Sequence, residues 1–282
     1  VFEEIRTGAS RRGLRVTGSE IVGLVPKDAI LNAGIFYLKK QKKSISIPEK
    51  DIIDIAIKSL GLDDISEFAP SKVIVENALL DRSSLISNMP LDEFVDELSR
   101  DSAAPGGGSV SALSGSLSAS LVSMVINLSP FSKKNQKYGS EAQAIKDQFV
   151  KLVDLDAKAF DFVMKAFSLK KKTKDQQKKR IEKIEDAYKK ATIPPLSMLE
   201  KTNDLFFIIK MIQEDINANC LSDLGVAVEM ASSASSGASM NIKINLSEIK
   251  DSKFKSKVNK KMLRLIDKND QLLFEINKKN II

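Results

Sequence analysis

The sequence predicts a mainly α protein: a helical bundle preceded by a small, incomplete α/β fragment. Three observations carry this. From Pro90 onward nearly every segment repeats its apolar residues at helical spacing, with no clear strand pattern. Aromatic residues are only 6% of the 282 and tryptophan is missing, which suits helices packed through small and aliphatic side chains better than an aromatic-rich β-sandwich. One β-branched, glycine-punctuated stretch, Leu14 to Pro26, reads as a strand with a turn. The length corresponds to about two domains at ~150 residues each, and such a chain buries a core without disulfides or metals.

The elements follow in order. Phe2 to Arg12 read as a helix that Gly13 stops. After the strand, Asp28 is placed to cap a helix running to about Gln41, and Pro48 suits the first turn of the next. There Ile52, Ile53, Ile55 and Ile57 give a broad apolar face. A single strand with helices cannot close a sheet of its own, so this fragment reads as incomplete. Residues 63–89 form a mixed connector, with a short helix near 73–80 and a polar approach from Ser83 to Pro90. Pro90 then opens a helix with Leu91, Phe94, Val95 and Leu98 on one face. APGGGS breaks the chain before a small-residue helix from Ser109 to about Leu128. A long helix is expected from about Ser140 to Ala166. A lysine-rich bridge then leads to a helix ending at Lys190, and Pro194-Pro195 opens another to about Asp215. Two more, near 219–236 and 252–280, flank MNIKINLSEIK. Seven or so helices imply a bundle.

Composition excludes several chemistries. Cys220 is the lone cysteine and histidine is absent, so an internal disulfide, a structural zinc site and any Ser-His or Cys-His triad are ruled out. Acid–base work falls to carboxylates, lysines or tyrosines, and no metal is expected. A reducing, cytoplasmic setting is expected. The net charge of +7 reads as a solvated lysine-rich surface or as affinity for a polyanion; no aromatics interleave the basic clusters, so no nucleic acid is expected. Ser102 to Ser132 is uncharged, but its serine and glycine content argues against a membrane span. The opening VFEEIRTGASRRG lacks the pattern of a secretory signal and enters mid-helix, as in a piece of a longer chain.

Chemistry concentrates around Asp156. Phe149, Val153, Asp156, Phe160, Val163 and Phe167 fall on one helical stripe, five large apolar residues and one carboxylate, while Asp154 and Asp161 fall off it as a solvated face should. Two readings are open: a buried aspartate satisfied by a cap or a lysine, or a desolvated carboxylate with a raised pKa that exchanges protons near neutral pH. Asp223 is a second catalytic candidate, with Val226, Ala227 and Met230 beyond it, or a simple helix cap. Gly106, Gly107, Gly108 and Ser109 open a helix where bare backbone can approach an anion, though no Walker pattern follows. The helix behind them, rich in Ala, Ser and Gly, permits close packing and a subunit contact.

Five segments, TGSEIVGLVP (17–26), RDSAAPGGGSVSAL (100–113), LVDLDAKAF (152–160), NCLSDLGVA (219–227) and NIKINL (241–246), resemble in the same order segments of the formimidoyltransferase-cyclodeaminase family. The resemblance covers essentially the whole chain. Residues 1–80 resemble the end of the transferase half, followed by a linker to about 89, and residues 90–282 resemble the complete cyclodeaminase half. It implies a helical cyclodeaminase that closes 5-formimidoyltetrahydrofolate to 5,10-methenyltetrahydrofolate and releases ammonia in histidine degradation. It also implies a homodimer or larger homo-oligomer with folate at the subunit interface. The folate, polyglutamylated or not, is substrate, and no prosthetic group is expected. The transferase histidine belongs to an earlier part of the family's chain, so that step is expected to be absent here. Asp156 matches the catalytic aspartate. Gly106 to Ser109 match a folate-contacting loop, and Lys133, Lys134 and Tyr138 fall in a basic-aromatic stretch that here reads SPFSKKNQKYG. Asn245 is a further contact candidate or a solvent-facing loop residue. A methenyltetrahydrofolate cyclohydrolase and a non-catalytic folate-binding module are the alternatives, the transferase-like remnant arguing against the former.

Overall fold

The computed structural model describes residues 1–79 and 85–278. Leu80 at the end of the expected 73–80 helix, the first residues of the polar approach to Pro90, and the expected helix end near 280 lie outside them. The chain divides into two compact units, Val1–Arg82 and Ser83–Ile282.

The first unit holds α1 (Phe2–Ser10), α2 (Lys27–Lys40), α3 (Glu49–Leu60) and two single-turn helices, α4 (Pro70–Val73) and α5 (Val75–Ala78). Ile30, Ile53, Ala56, Ile57, Leu62, Phe68 and Ile74 form its core. At Gly34 of α2 a Cβ would run into the Ile52 carbonyl of α3, so glycine there sets how closely the two helices pack. The expected strand does not form: residues 14–24 carry no regular structure, and Val25 makes one isolated parallel bridge to Ile74. Among the described residues no second strand offers a ladder, and Gly23 turns the chain with φ 92°. Asp28 does not cap α2. Pro26 is the N-cap residue, Asp28 sits in the first turn, and Glu76 accepts the Lys27 N–H at 2.8 Å.

The second unit is a bundle of α6 (Leu91–Leu98), α7 (Gly107–Asn127), α8 (Lys133–Phe167), α9 (Lys174–Ala191), α10 (Ile193–Ile212), α11 (Leu221–Ser247) and α12 (Ser252–Asn277). On α6 only Phe94 is buried, and Leu91 and Val95 face solvent. α7 is the central helix, packed between α8 and α11, while α10 lies against α8, α11 and α12. Its burial accounts for its lack of charge. Among the described residues it is the one helix long and apolar enough to cross a membrane, and most of that window is inside the bundle.

Three helix boundaries depart from expectation for local reasons. α8 starts seven residues early, because Ser132 caps it by accepting the Asn135 N–H at 3.0 Å. A capping box of Thr173 and Gln176 starts α9 inside the lysine-rich bridge. α11 runs straight through MNIKINL, since Ile242 and Leu246 continue the buried face of Ala231, Ala234 and Ala238.

Small residues let the central helices approach. A Cβ on Gly115 of α7 would enter the ring of Phe149 on α8, which is fully buried and has no room to yield. Gly115→Ala is therefore expected to destabilise the bundle by about 1–3 kcal/mol through overpacking, read as a lowered midpoint in a thermal melt followed by circular dichroism.

Candidate active site

α7 and α8 run antiparallel, with Gly115 against Phe149 and Gln143 Nε2 donating to Ser123 Oγ at 2.9 Å. This register brings the first turn of α7 to the middle of α8, where Asp156 projects. The Asp156 carboxylate lies so close to Gly108 that a Cβ there would strike both oxygens. The Ser109 hydroxyl donates to Asp156 Oδ2 at 3.5 Å and also reaches the Val153 carbonyl at 3.4 Å; the Ser109 backbone N–H donates to the same carboxylate. The anion at this helix start is thus the protein's own side chain. Burial is the largest influence on Asp156 and raises its pKa from 3.8 to about 6, against the lowering effect of the two Ser109 donors. A carboxyl group poised there takes and gives protons near neutral pH.

The glycines divide the work. Gly108 is required by contact with the carboxylate. At Gly106 a Cβ would meet nothing within 4 Å, and at Gly107 only Asn241 Nδ2 at 4.0 Å, so the backbone there borders open space.

The other expected residues lie elsewhere. Asp154, expected on a solvated face, is 8% exposed, and its carboxylate accepts the Ser87 N–H at 3.1 Å and hydroxyl at 2.6 Å. It anchors the 3₁₀ turn Ile86–Asn88 onto α8, a tertiary contact that periodicity within one helix cannot reveal. Lys133, Lys134 and Tyr138 stand on the first turns of α8, not in a loop. Tyr138 is about 27 Å along the axis from Asp156 at 1.5 Å per residue. Lys134 pairs with Asp215 at 2.6 Å, and the Tyr138 ring packs edge-on against Phe207. Asp223 occupies the first turn of α11 and makes no cap hydrogen bond there. Since α11 meets α7 antiparallel, with Gly237 on Ser111 and the Ser118 hydroxyl donating to the Ala227 carbonyl at 2.6 Å, Asp223 belongs to the same far end. A single chain does not bring these four residues to Asp156. Asn245 is helical and donates its amide to the Ala191 carbonyl at 2.9 Å, closing the end of α9. The asparagine beside the glycine loop is Asn241, one turn earlier in the same motif; spacing alone singles it out only if 240–246 is helical.

Fold and site together define a helical-bundle protein with a desolvated carboxylate at a glycine-rich helix start. Residues 90–264 match the formiminotransferase-cyclodeaminase family and residues 1–80 match the formiminotransferase domain. The chain is 36% identical over 281 residues to the formimidoyltransferase-cyclodeaminase of Gallus gallus, covering 96% of this chain and 52% of that protein. It is also 31% identical over 177 residues to the methenyltetrahydrofolate cyclohydrolase of Methylorubrum extorquens, covering 60% of this chain and 85% of that protein. The solved formiminotetrahydrofolate cyclodeaminase of Thermotoga maritima shares the fold, with a TM-score of 0.61 at 22% identity over 68% of this chain and 96% of that one. The chain belongs to the formiminotransferase-cyclodeaminase family, and it spans about half the length of the formimidoyltransferase-cyclodeaminases it matches.

Folding raises the Asp156 pKa, so the folded chain holds that proton more tightly than the unfolded one. The associated stability is full below about pH 4 and is lost as pH rises through about 6. An asparagine side chain has no charge to bury, so Asp156→Asn is expected to be the more stable protein at pH 8, by as much as about 3 kcal/mol. The advantage should vanish below pH 4, as checked by denaturant melts at the two pH values.

Proposed function

We propose that this chain is a folate-cyclising ammonia lyase, converting 5-formimidoyltetrahydrofolate to 5,10-methenyltetrahydrofolate. The observation that carries the reading is the Asp156 carboxyl group, desolvated to a pKa of about 6 beside exposed glycine backbone. N10 of the folate attacks the formimidoyl carbon and gives its proton to Asp156. The same carboxyl group then protonates the departing amine. One group with a pKa near the working pH serves both steps, and the bound ring system supplies proximity. Histidine is absent from the chain, so the transfer of the formimidoyl group that precedes cyclisation is not assigned to it. The buried lone Cys220 suits a reducing compartment, and we place the protein in the cytoplasm, in folate-dependent one-carbon metabolism and histidine degradation.

A homodimer completes the reading. Val110, Leu113, Leu117, Leu121, Met124 and Leu128 line one side of α7, and Leu117, Met124 and Leu128 are 48%, 37% and 57% exposed. A two-fold pairing of these stripes about Leu117 sets the Asp156 end of one protomer against the far end of the other, which carries Lys133, Lys134, Tyr138 and Asp223. The folate then lies between subunits. Its γ-glutamate tail suits the tip joining α8 and α9: residues 165–180 hold eight basic side chains and one acidic, the whole +7 excess of the chain.

The second reading, methenyltetrahydrofolate cyclohydrolase, is favoured by the Methylorubrum extorquens relative. It uses the same carboxylate with water in place of ammonia. Supplying each folate separately, while following the methenyl chromophore and free ammonia, separates the two; tight folate binding without turnover of either would leave a binding module. Asp156→Asn is expected to keep the fold and lose about 10²–10⁴-fold in turnover. Wild-type kcat/KM should climb with pH up to about 6 and level off above, because the attacking step needs the ionised carboxylate. Leu117→Glu is expected to turn a dimer into a monomer in sedimentation velocity and to lower cyclisation with it.

A further inference from the structure

We propose that the side-chain carbonyl of Asn241 receives the leaving nitrogen of the cyclisation, accepting a hydrogen bond from it as its bond to carbon breaks. This rests on the cyclodeaminase reading above and adds a residue to it.

Three features of the structure place the Asn241 amide and orient it. First, α11 packs tightly on α7 at Gly237: a Cβ there would run into the Ser111 hydroxyl, and Ser111 itself donates to the Gly107 carbonyl at 2.7 Å. The turn of α11 that carries Asn241 is therefore held against the first turn of α7. Second, Asn241 Nδ2 donates to the Gly237 carbonyl at 2.8 Å. Only a donor can face a carbonyl oxygen, so the amide has one allowed orientation, with Oδ1 turned away from α11's own backbone. Among the described residues no donor is bonded to that oxygen. Third, the neighbouring space is open. Nδ2 is the nearest atom to the place a Gly107 Cβ would take, and a Cβ on Gly106 would meet nothing within 4 Å. Asp156 borders the next residue, Gly108. The first turn of α7 thus has the Asp156 carboxylate against Gly108 and the Asn241 amide against Gly107, its nitrogen nearest the glycine and its oxygen without a bonded donor among the described residues.

The chemistry calls for such a pair. The substrate group is N5–CH=NH2⁺ beside N10–H. The N10 lone pair forms the new C–N bond, and the C=N electron pair moves onto the exocyclic nitrogen. The N10 proton passes through Asp156 to that nitrogen, making it NH3⁺. The bond from carbon to this nitrogen then breaks, the pair leaves with ammonia, and the lone pair of the ring nitrogens restores the cationic N–C–N system. Protons and charge balance without an oxidant or a co-reactant. The exocyclic nitrogen has two N–H groups at the start and three before departure, and Asp156 engages one. A neutral amide oxygen takes another as positive charge collects on the amine. Unlike a second carboxylate, it neither competes for the proton nor holds the ammonium once formed.

Asn241→Ala tests this in both directions. Forward kcat should fall by about 10- to 100-fold, the worth of a hydrogen bond to a charged group. In reverse, with methenyltetrahydrofolate and ammonium, the KM for ammonium should rise at least about as much. The affinity for 5-formyltetrahydrofolate, which lacks the leaving nitrogen, should stay within about threefold, and the melting temperature should hold. An unchanged kcat overturns the proposal. So does a parallel loss of formyl-folate affinity and ammonium KM, which would make Asn241 a general folate contact or a structural residue. If wild-type protein releases no ammonia while hydrolysing methenyltetrahydrofolate, the cyclodeaminase reading falls and this inference with it. Ammonia release by wild type with no effect of the variant overturns this inference alone.

Discussion

The contact between the Asp156 carboxylate and the first turn of α7 is the constraint around which the bundle is arranged. Burial pushes the charge out; the Ser109 hydroxyl and N–H pull it in. A carboxylate held by these donors at an exposed helix start would ionise below its usual pH, and one in a wholly apolar core would hold its proton well above it. The balance near 6 needs both, and it needs α7 and α8 at a spacing that only glycine at 108 permits. The same closeness recurs along α7, at Gly115 against Phe149 and where Ser111 meets Gly237 of α11. The small-residue composition of α7 follows from being wedged between two helices that must both reach its first turn.

This arrangement sorts polar groups to the ends of the bundle. α7 carries no charge because charge there would be buried without a partner. At one end stand Asp156, the open glycine backbone and Asn241. At the other stand Lys134 with Asp215, and Asn135, whose amide reaches the Pro130 and Asp215 carbonyls. Between them the outward side of α7 is an apolar stripe on which Leu117, Met124 and Leu128 stay exposed among the described residues. The excess positive charge is confined to the tip of the α8–α9 hairpin, where none of the eight cations meets a carboxylate among the described residues.

Periodicity along one helix exposed Asp156, because a carboxylate on an otherwise apolar stripe is anomalous whatever packs against it. The same test misassigned Asp154, since its partner Ser87 is 67 positions away in sequence. The start of α8 was hidden because SPFSKKNQKYG has the composition of a loop, yet the Ser132 side chain suffices to begin the helix there. MNIKINL alternates like a strand, and only the burial of Ile242 and Leu246 against neighbouring helices decides for helix. That decision sends Asn245 to the end of α9 and brings Asn241 to the open glycines.

Local chemistry written along the chain was enough for the helical class, for a hydrophobic bundle after Pro90, and for one acid where none should be. These depend on spacing within a single helix, and 3.6 residues per turn is the same in every protein. Which helix faces which was not legible. The antiparallel register of α7 against α8 and α11 sets the company Asp156 keeps, and it puts Lys133, Lys134, Tyr138 and Asp223 at the opposite end. The Leu14–Pro26 stretch, likewise, finds only the single bridge to Ile74 and no sheet to join among the described residues. Such pairings rest on contacts between residues dozens of positions apart, and their free energy exists only once the backbones have come together.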